Sequence, residues 1–105
     1  MKFTTNMQNQ KNKLYVLIDS SLEPVYGCVQ GGHAVAQWLL EHNGGWNNEY
    51  LIYLSADVNK WKKKLRKLFI DFTEFKEPDL DYKTTSLAVL GHDKLFKKLK
   101  LISAN

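Results

Sequence analysis

Short apolar runs alternate with segments of helical spacing along the chain. The runs at residues 14–18 and 50–54 are continuous and rich in strand-favouring residues, which is typical of strands buried on both faces. Two further runs, at residues 69–72 and 86–91, predict a third and a fourth strand. Pro78 has no backbone N–H, so the segment around it is predicted to be a loop and not a central strand.

Helical patterns fill the gaps between these runs. Residues 26–42 carry apolar side chains at intervals of three and four, and the Asn-Gly-Gly that follows is expected to end this first helix. Asp57 is predicted to cap a second helix, and a short third helix is expected from about Asp93. The positions of the second helix predicted to face the sheet are Val58, Trp61, Leu65 and Leu68. This alternation predicts a single α/β domain at residues 13–105, with three α/β/α layers around a four-stranded mixed, largely parallel sheet.

The composition narrows the class of protein. The chain has 105 residues, enough for one domain with a modest core. Residues 1–12 are mostly polar and are predicted to form a flexible tail. Cys28 is the only cysteine, which excludes an intrachain disulfide and favours a reducing compartment. No apolar run approaches the roughly 20 residues that span a bilayer, and the N-terminus lacks the apolar stretch of a signal peptide. We therefore expect a cytoplasmic protein with no membrane partner.

Basic residues are gathered in two places. The first cluster contains Lys60, Lys62, Lys63, Lys64, Arg66 and Lys67. The second contains Lys94, Lys97, Lys98 and Lys100. The net charge is +4, although an acidic stretch lies between the two clusters. A solvated helix face explains one such cluster, whereas two clusters that share a surface favour a polyanionic partner, RNA above all.

Candidate chemistry collects at the first strand-to-helix junction, where open α/β sheets often bind ligands. Asp19 ends the first strand there. A polar stripe then follows at roughly 100° per residue on the first helix. Its members are Tyr26, Gln30, His33, Gln37 and Glu41. The apolar side of the same helix is predicted to hold Cys28, Gly32, Val35, Trp38 and Leu39.

Several of these residues have two interpretations. His33 is either a base at a site or a structural histidine bonded to a backbone carbonyl. Gly31 and Gly32 each disfavour a helix by roughly 1 kcal/mol relative to alanine, so they serve either close packing on the sheet or close approach of a ligand. Cys28 is expected to be a small core residue. The three histidines and one cysteine lack the spacing of a zinc site. Neither a phosphate-binding glycine loop nor a nucleophile elbow is present, so no metal or cofactor is expected.

These residues resemble the type II peptidyl-tRNA hydrolases of archaea and eukaryotes. In that family an Asp closes the first strand, as Asp19 does here, and the first helix carries Gln-x-x-His-Ala, as at residues 30–34. Residues 84–91 resemble the family's penultimate strand, and residues 99–101 resemble its closing Leu-Lys-Leu. The resemblance covers about residues 13–102 and is strongest to the compact, often phage-encoded members.

The resemblance implies hydrolysis of the ester that joins a peptide, or an N-blocked amino acid, to tRNA. It assigns His33 as the group that activates or orients water, and Gln30 as a donor to the carbonyl oxygen. The family's catalytic lysine falls on Tyr26, which donates a hydrogen bond but carries no permanent charge. The basic segment at residues 60–67 would then meet the tRNA backbone.

The family's second catalytic element is an Asp followed by a Thr, and it has no single match here. Either Asp79 or Glu77 stands for the acid, and either Thr84 or Thr85 for the threonine. Asp79, Thr84 and Asp19 complete the set of candidate catalytic residues.

Two other functions remain open at this stage. A non-catalytic RNA-binding module would bind tRNA without turnover, and the missing lysine favours it. A protein-interaction module would show an exposed apolar patch, for which Trp46 is a candidate. A homodimer is also possible.

Overall fold

A mixed sheet forms the centre of the molecule. The computed structural model describes residues 12–102. Its strands are β1 (Lys13–Asp19), β2 (Tyr50–Ala56), β3 (Thr73–Glu77), β4 (Lys83–Leu90) and β5 (Lys100–Leu101), in the order β3-β4-β1-β2-β5. Only β1 and β2 are parallel, and the other neighbours are antiparallel. The predicted α/β class and mixed sheet are confirmed, whereas the predictions of four strands and a largely parallel sheet are wrong.

Two α-helices pack on the sheet, and each is capped by an acidic side chain. The helices are α1 (Pro24–Glu41) and α2 (Val58–Lys67), and short 3₁₀ helices lie at Pro78–Leu80 and Asp93–Phe96. The carboxylate of Glu23 accepts the N–H groups of Val25 and Tyr26 at the start of α1. The carboxylate of Asp57 accepts the N–H of Lys60, which confirms the predicted cap of α2. No helix within residues 12–102 is long and apolar enough to cross a membrane.

Successive side chains of β1 point to opposite faces of the sheet, and each face carries one helix. Leu14, Val16 and Ile18 pack with Ala34 and Trp38 of α1. On the other face, Tyr15 and Leu17 pack with Val58 and Leu65 of α2. The chain therefore builds two small cores, which share the central strands.

Two strands differ from the prediction, β3 in its position and β5 in its presence. The third strand was expected at residues 69–72 but begins at Thr73. Phe69 is left-handed, with φ 56°, and the N–H of Ile70 bonds the carbonyl of Leu65, so these residues end α2 and do not extend. β5 was not predicted because it has only two residues, too few for a periodic pattern.

The buried side of α1 is not the predicted one. Cys28 and Gly32 are exposed, and Leu39 is 37% exposed. The buried residues of the helix are instead Gly27, Gln30, Gly31, Ala34 and Trp38. A Cβ at Gly31 would lie 2.9 Å from Ile18 and 3.0 Å from the Tyr53 ring, so this glycine lets the helix lie directly on the sheet.

In α2, Leu68 is also wrong as a core position, because it is 48% exposed. The tail predicted at residues 1–12 lies almost entirely outside the described residues.

Candidate functional site

Gln30 lies under α1 at the centre of a buried polar network. It is 1% exposed, and its side-chain amide makes two hydrogen bonds. Nε2 donates to Glu77 at 2.9 Å, and Oε1 accepts from the Thr85 hydroxyl at 2.6 Å. The Ser86 hydroxyl donates to the Gln30 backbone carbonyl at 2.8 Å. These four residues are called the Gln30 cluster, and they join α1 to the ends of β3 and β4.

An irregularity in the β3–β4 pairing places two neighbouring hydroxyls on one side of the sheet. Phe75 pairs with Ser86 and Lys76 pairs with Thr84, so Thr85 is an extra residue in β4. A bulge of this kind breaks the strict alternation of side chains along a strand. Thr85 and Ser86 therefore both reach Gln30, whereas a regular strand would turn one of them to the opposite face.

The carboxylate of Glu77 is held in its ionised form. The hydrogen bond from Gln30 and the backbone N–H of Asp79, at 3.1 Å, lower the pKa of Glu77 below its ordinary value. Burial opposes this shift, and the charge of protonated His33 adds to it. Glu77 therefore brings a fixed negative charge to the surface edge of the Gln30 cluster, close to His33.

His33 lies on the solvent side of this charge. Its ring is exposed and stacks on Phe75, with ring centroids 4.5 Å apart and an angle of 10° between planes. Tyr26 lies two turns earlier along the polar stripe. Burial and the negative charges of Glu77 and Asp79 raise the pKa of Tyr26, so its hydroxyl remains a hydrogen-bond donor at neutral pH. Tyr26 and His33 thus lie two turns apart on the side of α1 that passes over the buried Gln30, and the charge of Glu77 acts on both.

The remaining predicted catalytic residues lie outside this network. Asp79 contributes its backbone N–H to Glu77, and its side chain is exposed. Thr84 points to the α2 side, where its hydroxyl donates to Glu74 at 2.5 Å. Asp19 accepts from the Ser21 hydroxyl and lies 3.8 Å from the Lys83 ammonium.

Among the open alternatives, Glu77 and Thr85 are therefore the acid and the threonine that contact Gln30.

The basic residues of α2 lie across the sheet from the Gln30 cluster. Those exposed to solvent are Lys60, Lys63, Lys64, Arg66 and Lys67, and they are called the α2 surface. Lys62 is different, because its ammonium donates to Glu74 at 2.8 Å and to Thr84 at 3.2 Å. Burial alone would raise the pKa of Glu74, but the bonds from Lys62 and Thr84 and the lysine charge lower it. Lys62 therefore anchors α2 to the sheet, and its charge is already paired.

The second basic cluster shares this side of the molecule. The ring of Trp61 in α2 lies 5.3 Å from the ring of Phe96, which belongs to the 3₁₀ helix Asp93–Phe96. The lysines that flank this contact, Lys94, Lys97, Lys98 and Lys100, are all exposed. The elements that carry the two clusters thus pack on one core, although they are some thirty residues apart in the sequence.

Sequence reasoning found Gln30 and His33 but missed Ser86 and left Glu77 and Thr85 as alternatives. A signal was present, because residues 84–86 are three successive polar residues at the start of an apolar strand. Within residues 12–102, no group of three His, Cys, Asp or Glu side chains is arranged to hold a metal ion. No protein-family model matches the chain, and neither does any curated protein.

Proposed function

We propose that this chain is a peptidyl-tRNA hydrolase-like enzyme, which binds tRNA through the α2 surface and cleaves the ester between a peptide and the terminal ribose. The observation that carries the proposal is the position of the exposed His33, which stacks on Phe75 one turn after Gln30, the residue that bonds the ionised Glu77. An imidazole next to a fixed carboxylate is a usual arrangement for general-base catalysis, because the negative charge stabilises the imidazolium that forms. The resemblance to type II peptidyl-tRNA hydrolases supplies the substrate class.

In the proposed reaction, His33 takes a proton from water as the water oxygen attacks the ester carbonyl carbon. The carbonyl π electrons move to the oxygen, and a tetrahedral intermediate forms. Its collapse breaks the bond to the ribose oxygen, which leaves with the proton returned from His33. The Tyr26 hydroxyl is the donor available to the developing oxyanion, since the Gln30 amide already bonds Glu77. Gln30 is then a positioning residue, which holds Glu77 beside His33.

The position of β3 at the edge of the sheet supports a path for RNA from the α2 surface to His33. β3 is outermost in the sheet, and its side chains alternate between the faces. Glu74 contacts Lys62 on the α2 side, and Phe75 stacks on His33 on the α1 side. An RNA strand that crosses this edge would keep its phosphates near the α2 surface while its 3′ end reaches His33. Phosphate contacts of this kind provide affinity that falls with salt.

A tRNA-binding module without activity is the second candidate, and the burial of Gln30 favours it. An amide that is 1% exposed, with its oxygen and nitrogen both bonded inside the domain, is out of reach of a substrate at the surface. Trp46 does not form the exposed apolar patch of a protein-interaction module. Its side chain is half-buried, and its indole N–H donates to the Asn12 carbonyl at 3.2 Å. Exposed apolar residues do lie on α1, and Val29 and Leu40 are 54% and 80% exposed.

The test is release of N-acetylated amino acid from charged tRNA by the purified protein. His33→Phe is the decisive variant, because it keeps a ring stacked on Phe75 but has no proton acceptor. His92→Asn is its control, since His92 is an exposed histidine elsewhere and asparagine tolerates its left-handed backbone, φ 67°. Turnover that falls at least about 100-fold in His33→Phe alone is the expected result. Binding without turnover by the unaltered protein would support the second candidate instead.

A further inference from the structure

Phe69 ends α2 in a conformation that suits glycine. Its φ is 56°, its N–H bonds the Arg66 carbonyl at 3.1 Å, and the next N–H, of Ile70, bonds the Leu65 carbonyl at 3.0 Å. This pair of bonds is the Schellman motif, in which the left-handed residue is usually glycine. Side chains with a Cβ are disfavoured in that region by roughly 1–2 kcal/mol. The backbone at this position therefore gives no reason for an aromatic residue.

The Phe69 side chain also contributes nothing to the core. It is 96% exposed, the highest value among the large apolar residues of the described chain. The hydrophobic contact that accompanies the motif is made by Ile70, which packs against the core that contains Leu65. A glycine at position 69 would keep the helix end, remove strain and lose no packing. A fully exposed ring at such a site is explained by what it offers to a partner.

The surroundings of Phe69 are basic. Lys63, Arg66 and Lys67 follow one another on the exposed side of the last turns of α2. The Arg66 guanidinium lies 5.8 Å from the centre of the Phe72 ring and 3.9 Å from a Glu74 oxygen, and the side chain is still 60% exposed. Arg66 is therefore oriented by two neighbours while it keeps donors free. Planar guanidinium groups held in this way suit phosphate oxygens.

From these observations we infer that Phe69 stacks on an unpaired base of RNA while Arg66 binds an adjacent phosphate. The inference rests on the proposed function, since it names the part of the RNA that the α2 surface recognises. Aromatic rings among basic residues are the usual platform for single-stranded nucleic acid, because every base offers a π face. An apolar protein partner fits this position less well, because it would have to cover Lys63, Arg66 and Lys67 without neutralising them.

The test compares two fluorescein-labelled probes, a single-stranded RNA 12-mer and a 12-mer made entirely of abasic residues, which keeps the phosphates and offers no base. Phe69→Gly is expected to weaken binding of the first probe by roughly 5- to 100-fold, the range for loss of one stacked base. Binding of the abasic probe should change less than about twofold, because its phosphate contacts remain. Leu40→Ala, which trims an exposed apolar residue on α1, is the matched control and should leave both affinities unchanged.

Each alternative result has a distinct meaning. Equal affinity of Phe69→Gly and the unaltered protein for both probes would overturn this inference and leave the proposed function standing. Equal weakening for both probes would also overturn it, because the ring would then not contact a base. No binding of either probe by the unaltered protein would overturn the inference, and the proposed function would then be decided separately by hydrolysis of charged tRNA. The melting temperatures of Phe69→Gly and Phe69→Asn should equal or exceed that of the unaltered protein, and a clear decrease in both would give the ring a structural role and contradict the inference.

Discussion

The two helices differ in the polar and apolar residues that they bury and expose. α2 follows the usual pattern, with Leu65 turned to the sheet and basic side chains turned to solvent. α1 buries the amide of Gln30 and exposes the apolar Val29 and Leu40, and it contains no lysine or arginine. Here the inward polar group of α1 holds the carboxylate beside His33, while the outward charge of α2 suits an anionic ligand.

Under the proposed function, the α1 side and the α2 side of the sheet have separate roles. The α2 side supplies long-range positive charge, because the exposed lysines of α2 and of residues 94–100 lie on elements that pack on the same core. The α1 side supplies a fixed local geometry, because each member of the Gln30 cluster is bonded to another member. Variants on one side should therefore change RNA affinity, and variants in the Gln30 cluster should change stability and turnover.

The largest effect is expected from removal of the buried amide. Gln30→Ala should lower the free energy of unfolding by about 3 kcal/mol, because it leaves the Thr85 hydroxyl without a partner, removes one hydrogen bond of the Glu77 carboxylate and opens a cavity. Gln37→Ala is the matched control on the same helix, since Gln37 bonds only the exposed Glu41, and it should change stability by less than about 0.5 kcal/mol. Urea unfolding measures both. Similar small losses in the two variants would remove the Gln30 cluster as a structural centre.

The next prediction compares two variants that change the net charge by the same amount. One loses positive charge on α2, and the other gains negative charge on α1. Replacing Lys60, Lys63 and Lys67 with alanine should weaken binding of single-stranded RNA on the order of 100-fold at low salt. The matched variant carries three glutamates on exposed α1 positions and also lowers the net charge by three. Those positions are Cys28, Leu39 and Leu40, none of which is within one turn of His33 on its face of α1.

This second variant should weaken binding by less than about threefold, because its charges lie across the sheet and are screened beyond roughly 10 Å. Fluorescence anisotropy over a series of salt concentrations measures the affinities. Equal losses in the two variants would mean that only the overall charge matters, and the comparison of the two sides would fail.

Two neighbouring lysines of α2 offer a finer contrast. Lys62→Met should lower the free energy of unfolding by about 1.5 kcal/mol, because Glu74 would lose its closest charged partner. Its effect on RNA affinity should be small, since this ammonium is already paired. Lys63→Met should do the reverse, with stability unchanged and affinity reduced several-fold. Thermal unfolding and RNA titration of both variants decide the matter, and a large loss of affinity in Lys62→Met would contradict the assignment.

The smallest effect is a pH dependence carried by Glu77. Its folded-state pKa is lowered, so the stability that it contributes is fully present above its ordinary value of about 4.3 and is lost as the pH falls through the folded pKa. Glu77→Gln should melt below the unaltered protein at pH 6, and the difference should shrink as the pH falls below the ordinary pKa of a glutamate. Melting temperatures over that range test the effect. A difference that stays constant with pH would show that the Glu77 charge contributes nothing.

Much of the architecture could be predicted from the sequence, because local patterns determine it. The strands β1, β2 and β4, both helices and the cap at Asp57 follow from periodicity and capping chemistry. The position of β3 could not, because it depends on Phe69 adopting a left-handed conformation that sequence patterns assign to glycine. The strand order required contacts between segments that are distant in the chain.

The candidate site was predictable only in part. The stripe that contains Gln30 and His33 was visible from helical spacing, but a glutamine is normally assigned to the surface. Its burial depends on Glu77 and Thr85, which are 47 and 55 residues away, and on a bulge that turns Thr85 toward α1. Neither the pairing nor the bulge leaves a local pattern in the sequence.

The most direct test of the separate roles is a steady-state comparison of tRNA ester hydrolysis by three proteins. These are the unaltered chain, the variant with Lys60, Lys63 and Lys67 replaced by alanine, and His33→Phe. The predicted result is that the lysine variant raises KM with little change in kcat, while His33→Phe lowers kcat with little change in KM. Turnover by His33→Phe at the rate of the unaltered protein, or a lysine variant that loses kcat and not affinity, would contradict the account.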